Sequence, residues 1–258
     1  MFLTRNFHHR SVVCNVASGI KEPQDLLGKK FGVRAYTVTT GVWTRGILES
    51  EYGVDPAKVT WYTDDEEHVT EWVAPPNVVQ LPPGESLAAM IAVGRLDAAL
   101  SGAAGIGRSG PPTATWETAA AQAVAAPTAA QLAPLFPNAR ALEAEWYQQT
   151  RIFPIHGLIV IKNAVLAEHP WVAPELLHAF QASKELHLQR LAAVGPSTPD
   201  DRHILETQEM VGGGDPLPFG LEANRPTIEA LIQYAYSQKI IPAKVRPEEV
   251  FAPNALDL

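Results

Sequence analysis

The chain has one cysteine, no surplus of positive charge and no long hydrophobic run, and each shortage removes a class of function. With Cys14 alone an internal disulfide is ruled out. Its setting in the apolar run Ser11-Val12-Val13-Cys14-Asn15-Val16 reads as a buried, inert thiol rather than a nucleophile. Lys and Arg number 20 against 28 Asp and Glu, a formal charge of -8 without a basic cluster, so a phosphate-backbone partner is not expected. No apolar run approaches the ~18 residues that a membrane span needs. The first ten residues lack the apolar centre of a secretory signal, which predicts a cytoplasmic address. Also missing are a Gly-x-Ser-x-Gly elbow, a Walker-type loop and a Cys-x-x-Cys pair, and no motif marks a lysine for Schiff-base chemistry.

What is present is ample apolar material: 46% of the 258 residues, enough for one large or two modest cores. Strands are predicted near 11–16, Phe31–Arg34, Val59–Tyr62, Val78–Leu81 and Leu96–Leu100. Helices are expected between them at about 40–53, ended by Gly53, and from Glu85 to Val93. Alternating strands and helices predict an α/β fold with a parallel or mixed sheet. The Ala-, Pro- and Gly-rich stretch from about 103 to 137 reads as a long excursion with one short helix at most. A helix at about 138–150 follows, and Ile155–Ile161 reads as a strong buried strand. From Pro170 onward the pattern is helical, over about 170–193, 199–211 and 225–238, with Leu176, Leu177, Phe180, Leu186 and Leu191 at helical spacing.

The densest chemistry lies where the second strand meets the first helix. Arg34, Tyr36, Thr37, Thr39, Thr40, Gly41, Trp43 and Arg45 crowd one turn. A helix opening under threonines offers free N–H groups and hydroxyl donors to a carboxylate, although Thr39 and Thr40 could equally be ordinary helix caps. Gly105-Ile106-Gly107-Arg108-Ser109-Gly110 matches GxGxxG. Pro111 and Pro112 follow at once, where a dinucleotide site needs a helix, so the glycines read as a loop. His8-His9 and Asp64-Asp65-Glu66-Glu67-His68 carry metal-ligand types without metal-site spacing, and the acidic run reads as a solvated loop. His169, His178, His187 and His203 fall in or beside helices and are expected to be partly exposed. His156 interrupts an apolar strand, where a buried imidazole needs a partner or a purpose.

Residues 28–48, together with Glu51–Asp55, Thr60-Trp61, Glu67–Val69, Pro76–Val78, Pro218–Arg225, Tyr234–Gln238 and Glu249–Pro253, resemble the 4,5-dihydroxyphthalate decarboxylase family. That family is similar in fold to type II periplasmic binding proteins, two α/β lobes joined by crossing strands with the ligand in the cleft. The resemblance implies a crossing strand and a remnant of lobe I at 1–16, lobe II at 17–154, and a second crossing strand with the helical part of lobe I at 155–258. Family members carry further strands before a segment similar to Phe2–Arg10, so the first lobe is expected to be incomplete, to expose apolar surface and to invite self-association.

The implied activity is loss of CO2 from a hydroxylated aromatic acid, with 4,5-dihydroxyphthalate giving protocatechuate, and with no organic cofactor and no metal. The small aromatic carboxylate is the expected partner. Arg5, Arg34, Thr39 and Thr40 are assigned to carboxylate binding, beside Thr37 and the helix start at Gly41. Tyr36 and Trp43 are assigned to packing on the ring, and His9, His68 or His156 to acid or base work. Two other readings stay open: a solute-binding protein or non-catalytic module that keeps the cleft, and a metal-dependent decarboxylase using His8, His9 and His68.

Overall fold

The computed structural model describes residues 2–107 and 131–256, and these fall into two compact units. One holds the residues up to Phe7, Ala141–Gln233 and those from Ala243 onward. The other holds His8–Arg140 and Tyr234–Pro242. The fold is α/β.

The second unit is built on a six-stranded mixed sheet. Its strands are β2 (Val12–Asn15), β3 (Lys30–Gly32), β4 (Thr60–Thr63), β5 (Val78–Gln80), β6 (Ala98–Leu100) and β7 (Leu132–Pro134), in the order β5-β4-β3-β6-β2-β7. β3 runs parallel to β4 and β6, with Phe31 opposite Trp61 and Ala98. β2 is antiparallel to β6 and β7. Helices α1 (Thr39–Tyr52) and α2 (Leu87–Ala92) connect the parallel strands, as parallel pairing requires a crossover. A core of Leu81, Leu87, Met90, Ile91, Leu96 and Ala99 closes one part of the unit.

Helix α1 begins without a side-chain cap, since its N-cap is Val38, and it ends on Gly53 at φ 67°, a left-handed position that glycine fills without steric cost. Every residue from Thr40 to Leu48 is buried, so polar and apolar faces alike are enclosed. Gly46 permits this, because a Cβ there would meet the Tyr234 ring at 2.2 Å.

The first unit pairs β1 (Phe2–Arg5) with β8 (Ile155–Leu158) in an antiparallel two-stranded sheet. Around it lie α3 (Ala139–Thr150, all but its first two residues), α4 (Asn163–Glu168), α5 (Val172–Val194), α6 (Pro199–Met210) and α7 (Arg225–Ser237, up to Gln233). Phe7 stacks on Phe153 at 4.9 Å and meets Trp146 edge-on, while Ile155, Leu221 and Ile228 form a small core.

Several expectations need correction. β8 is shorter than the expected buried strand 155–161, and Leu158 and Val160 are exposed, the latter at 82%. Among the described residues the sheet here has two strands and cannot cover its own edges. The apolar stripe on α5 is not core throughout: Leu191 is buried, but Leu186 is 68% exposed. β7 forms inside the stretch expected to be an irregular excursion, because Val13 and Cys14 offer it an antiparallel partner. α4 was not expected. Asp64 and Asp65, placed in a solvated loop, are buried. Gly105 to Gly107 form a tight turn in which a Cβ on Gly105 would lie 2.0 Å from the Leu100 carbonyl oxygen. The remainder of that motif, Arg108 to Gly110, lies outside the described residues.

Cys14 is buried in β2, and burial pushes its thiol up to about 12. Iodoacetamide at pH 8 will leave the folded chain unlabelled and label it fully in denaturant, as mass spectrometry can check.

Candidate functional site

The turn between β3 and α1 is held by an acid thirty residues away. The Glu67 carboxylate accepts from the backbone N–H of Tyr36 at 2.8 Å, from that of Thr37 at 2.7 Å, and from the Thr37 hydroxyl at 2.6 Å. Thr37 Oγ1 in turn accepts from the His68 N–H at 2.8 Å. Two successive N–H groups and a hydroxyl aimed at one point make an anion cradle of the kind expected from this sequence. Its occupant is a side chain of the same chain.

Arg34 stands beside the cradle. Its Nη2 donates to His68 Nε2 at 2.9 Å, and its Nε lies 3.5 Å from Asp65 Oδ2. A guanidinium cannot accept, so Nε2 must be the bare nitrogen of the imidazole and the ring proton sits on Nδ1. Its peptide is fixed as well, since the N–H donates to Ala104 and the carbonyl accepts from Asp64 and Asp65. Arg34, Thr37, Glu67 and His68 therefore form one connected polar cluster.

Arg45 lies behind it, 0% exposed. Its Nε donates to Gln238 Oε1 at 2.8 Å and its Nη2 donates to the Tyr36 carbonyl, while Nη1 has no hydrogen-bond partner. Gly41 makes room for that atom, since a Cβ there would sit 3.0 Å from Nη1. The guanidinium carbon rests 3.6 Å from the centroid of the Tyr36 ring, and Trp72 stacks on the same ring at 4.8 Å and 11°. Two flat groups at those distances cannot share a face, so Tyr36 is sandwiched between them. Burial lowers the Arg45 pKa to about 10, which leaves it charged at neutral pH.

No protein-family model matches the chain. A 4,5-dihydroxyphthalate decarboxylase of Comamonas testosteroni is 28% identical over 269 residues, which cover 100% of this chain and 76% of the relative. The chain is thus similar along its whole length to a protein of that name. A second protein of that name, from Pseudomonas putida, is 35% identical over 107 residues, 39% of this chain and 42% of the relative.

Set against this relationship, the residues expected to form the site divide into two groups. Arg34, Thr37 and His68 come together, and Thr39, Thr40 and Gly41 open α1 just beyond them. Trp43 does not join them: it is fully buried, edge-on to Tyr234, because α1 is enclosed on all sides. Tyr36 is also buried, its two faces taken by Arg45 and Trp72. Neither ring is placed to pack on a ligand.

Arg5 belongs to the other unit. It donates to the carbonyls of Phe153 at 3.1 Å and Pro218 at 3.0 Å and to Asn224 Oδ1, and so serves to tie main chain rather than to hold a carboxylate. His156, in the same unit, is exposed rather than buried, since among the described residues β8 belongs to a two-stranded sheet with an open face there. His9 is buried edge-on to Phe136 at 5.2 Å and Tyr52 at 6.2 Å. Burial, with Arg10 assisting, lowers its pKa to about 4.

Sequence reasoning missed Glu67 and Trp72, and it named Arg45 only as a neighbour. Glu67 was hidden in an acidic run whose ordinary reading is solvated. Among the described residues, no group of three or more His, Cys, Asp and Glu side chains is placed to hold a metal ion. Among the described residues, no helix is long and apolar enough to cross a membrane. A cavity of about 370 Å³ in the first unit, lined by Leu158, Val160, Leu166, Leu176 and Phe251 among others, has Glu249 as its one ionisable lining group among the described residues. It lacks the cations that a benzoate or phthalate would require.

Proposed function

We propose that this chain is a carboxy-lyase that removes CO2 from a hydroxylated aromatic acid, with 4,5-dihydroxyphthalate giving protocatechuate as the reaction. The similarity that runs the whole length of the chain to a protein of that name carries the proposal. The finer fold reading that goes with it is two lobes of the type II periplasmic-binding-protein kind. A cytoplasmic address and self-association through the apolar surface of the first lobe belong to the same reading.

The chemistry needs no organic cofactor. A phenolate para to the departing carboxylate pushes electrons into the ring, so that the ring carbon bearing the carboxylate takes up a proton. The C–C bond then breaks, its electron pair returns to the ring system, and CO2 leaves. The protein must hold a carboxylate, take the phenolic proton and deliver one to carbon. Arg34 and the first turn of α1 at Thr39, Thr40 and Gly41 supply the positive potential for the first task. His68 takes the acid and base work, because its imidazole is accessible and its bare Nε2 is held by Arg34.

Incubation with 4,5-dihydroxyphthalate and other hydroxylated benzoates, followed by CO2 release and protocatechuate formation, tests the activity. His68→Ala will lower turnover by about 10²–10⁴-fold, the usual yield of a positioned acid or base, whereas His156→Ala will change it little. Full turnover in the His68 variant removes that assignment. No CO2 from any acid in the panel removes the function.

A further inference from the structure

The cradle at Tyr36 and Thr37 is filled by Glu67, and the charge behind it makes no direct ion pair among the described residues. Arg45 is fully enclosed and makes no ion pair with a carboxylate within salt-bridge distance among the described residues. Its Nη1 donor is left without an acceptor. The geometry converts that charge into anion affinity. The peptide group whose carbonyl accepts from Arg45 Nη2 is the one whose N–H, on Thr37, points at Glu67. Polarising the carbonyl end of an amide strengthens its N–H as a donor.

The occupant differs in character from the cradle. Tyr36, Thr37 and Arg45 are buried, and Arg45 lies within α1. Glu67 sits in a segment without helix or strand, between the exposed residues Glu66 and His68. A rigid receptor thus meets a tethered carboxylate on an irregular loop.

We propose that the Tyr36–Thr37 turn is a carboxylate-binding subsite and that Glu67 is its built-in occupant, displaced when an aryl carboxylate ligand takes its place. The ligand class rests on the decarboxylase reading above; the displacement does not. The Glu67 side chain leaves the cradle as the ligand enters while Arg34 keeps His68 in place, which frees the Thr37 hydroxyl from the carboxylate and removes that anchor from the 66–72 loop. Glu67 is then a competitor at an effective concentration set by its short tether.

Phthalate, which has two carboxylates and no hydroxyl to drive turnover, is the probe. Isothermal titration will show phthalate binding at least tenfold tighter to Glu67→Ala and Glu67→Gln than to the unaltered chain. Benzamide, uncharged, will show no such gain. Equal or weaker phthalate binding by both variants, with helix content intact by circular dichroism, would overturn the proposal.

A measurement on the unaltered chain covers the case in which the variants fail to fold. Under saturating phthalate, hydrogen exchange in residues 66–72 will rise while the amides of Tyr36 and Thr37 stay protected. No change in 66–72 overturns the proposal equally. CO2 release is scored separately. Tightened phthalate binding without CO2 from any hydroxylated acid would end the decarboxylase reading and leave the cradle standing.

Discussion

Arg45→Ala will destabilise the second unit by about 3 kcal/mol, read as a lowered urea midpoint with an unchanged slope. Three effects contribute. Truncation empties space in a fully packed helix environment, the Tyr36 carbonyl loses its donor, and Gln238 Oε1 loses the Nε hydrogen bond. An unpaired buried polar group alone costs about 1–3 kcal/mol. Relief of a buried charge that has no direct ion pair offsets part of this, which separates the two obvious substitutions. Arg45→Met keeps most of the volume and removes the charge, so it will recover about half of the loss while leaving both acceptors unmet. An unchanged urea midpoint for Arg45→Ala would show that the Arg45 guanidinium contributes nothing to the packing of α1.

Acid will expose a second built-in cost. His9 is 2% exposed, and its pKa falls from 6.5 to about 4 because burial disfavours the charged ring. Above pH 6.5 the imidazole is neutral in folded and unfolded chains alike, and it contributes no pH dependence. Between pH 6.5 and 4 the unfolded chain binds a proton that the folded chain refuses, so stability falls as the pH drops. At about 1.4 kcal/mol per pH unit the loss reaches roughly 3 kcal/mol by pH 4. His9→Phe keeps a flat ring against Phe136 and Tyr52 and cannot titrate. Urea midpoints taken at pH 7, 5.5 and 4.5 will therefore fall more steeply for the unaltered chain than for this variant. Parallel slopes would show that His9 is already solvated in the folded state.

The buried His9 bears on chemistry too. An imidazole neutral to about pH 4 and boxed in by aromatic rings is a poor proton donor near neutrality, whereas His68 is open to solvent and fixed through one nitrogen. Burial thus separates two histidines that composition and spacing leave equivalent.

Much of the architecture follows from local pattern. The run from Phe31 into Thr39 marks a strand, a turn and a helix, and Gly53 ends that helix because a left-handed residue is needed there. The strand at Val12–Asn15, the inert Cys14 and the helices beginning near 139, 172, 199 and 225 are likewise readable from periodicity and punctuation. The likeness to the decarboxylases was also legible, carried by short motifs spread along the chain.

What the sequence could not tell was the partner of each polar group. Three arginines look interchangeable on paper. Packing gives Arg5 to main-chain carbonyls, Arg34 to Asp65 and His68, and Arg45 to the interior behind Tyr36. Glu67 enters the cradle across thirty residues, and Gln238 reaches Arg45 across nearly two hundred. Periodicity reports which face of an element is apolar, and punctuation reports where it stops. Which donor meets which acceptor across such separations depends on how the chain closes on itself, and only the folded structure decides that.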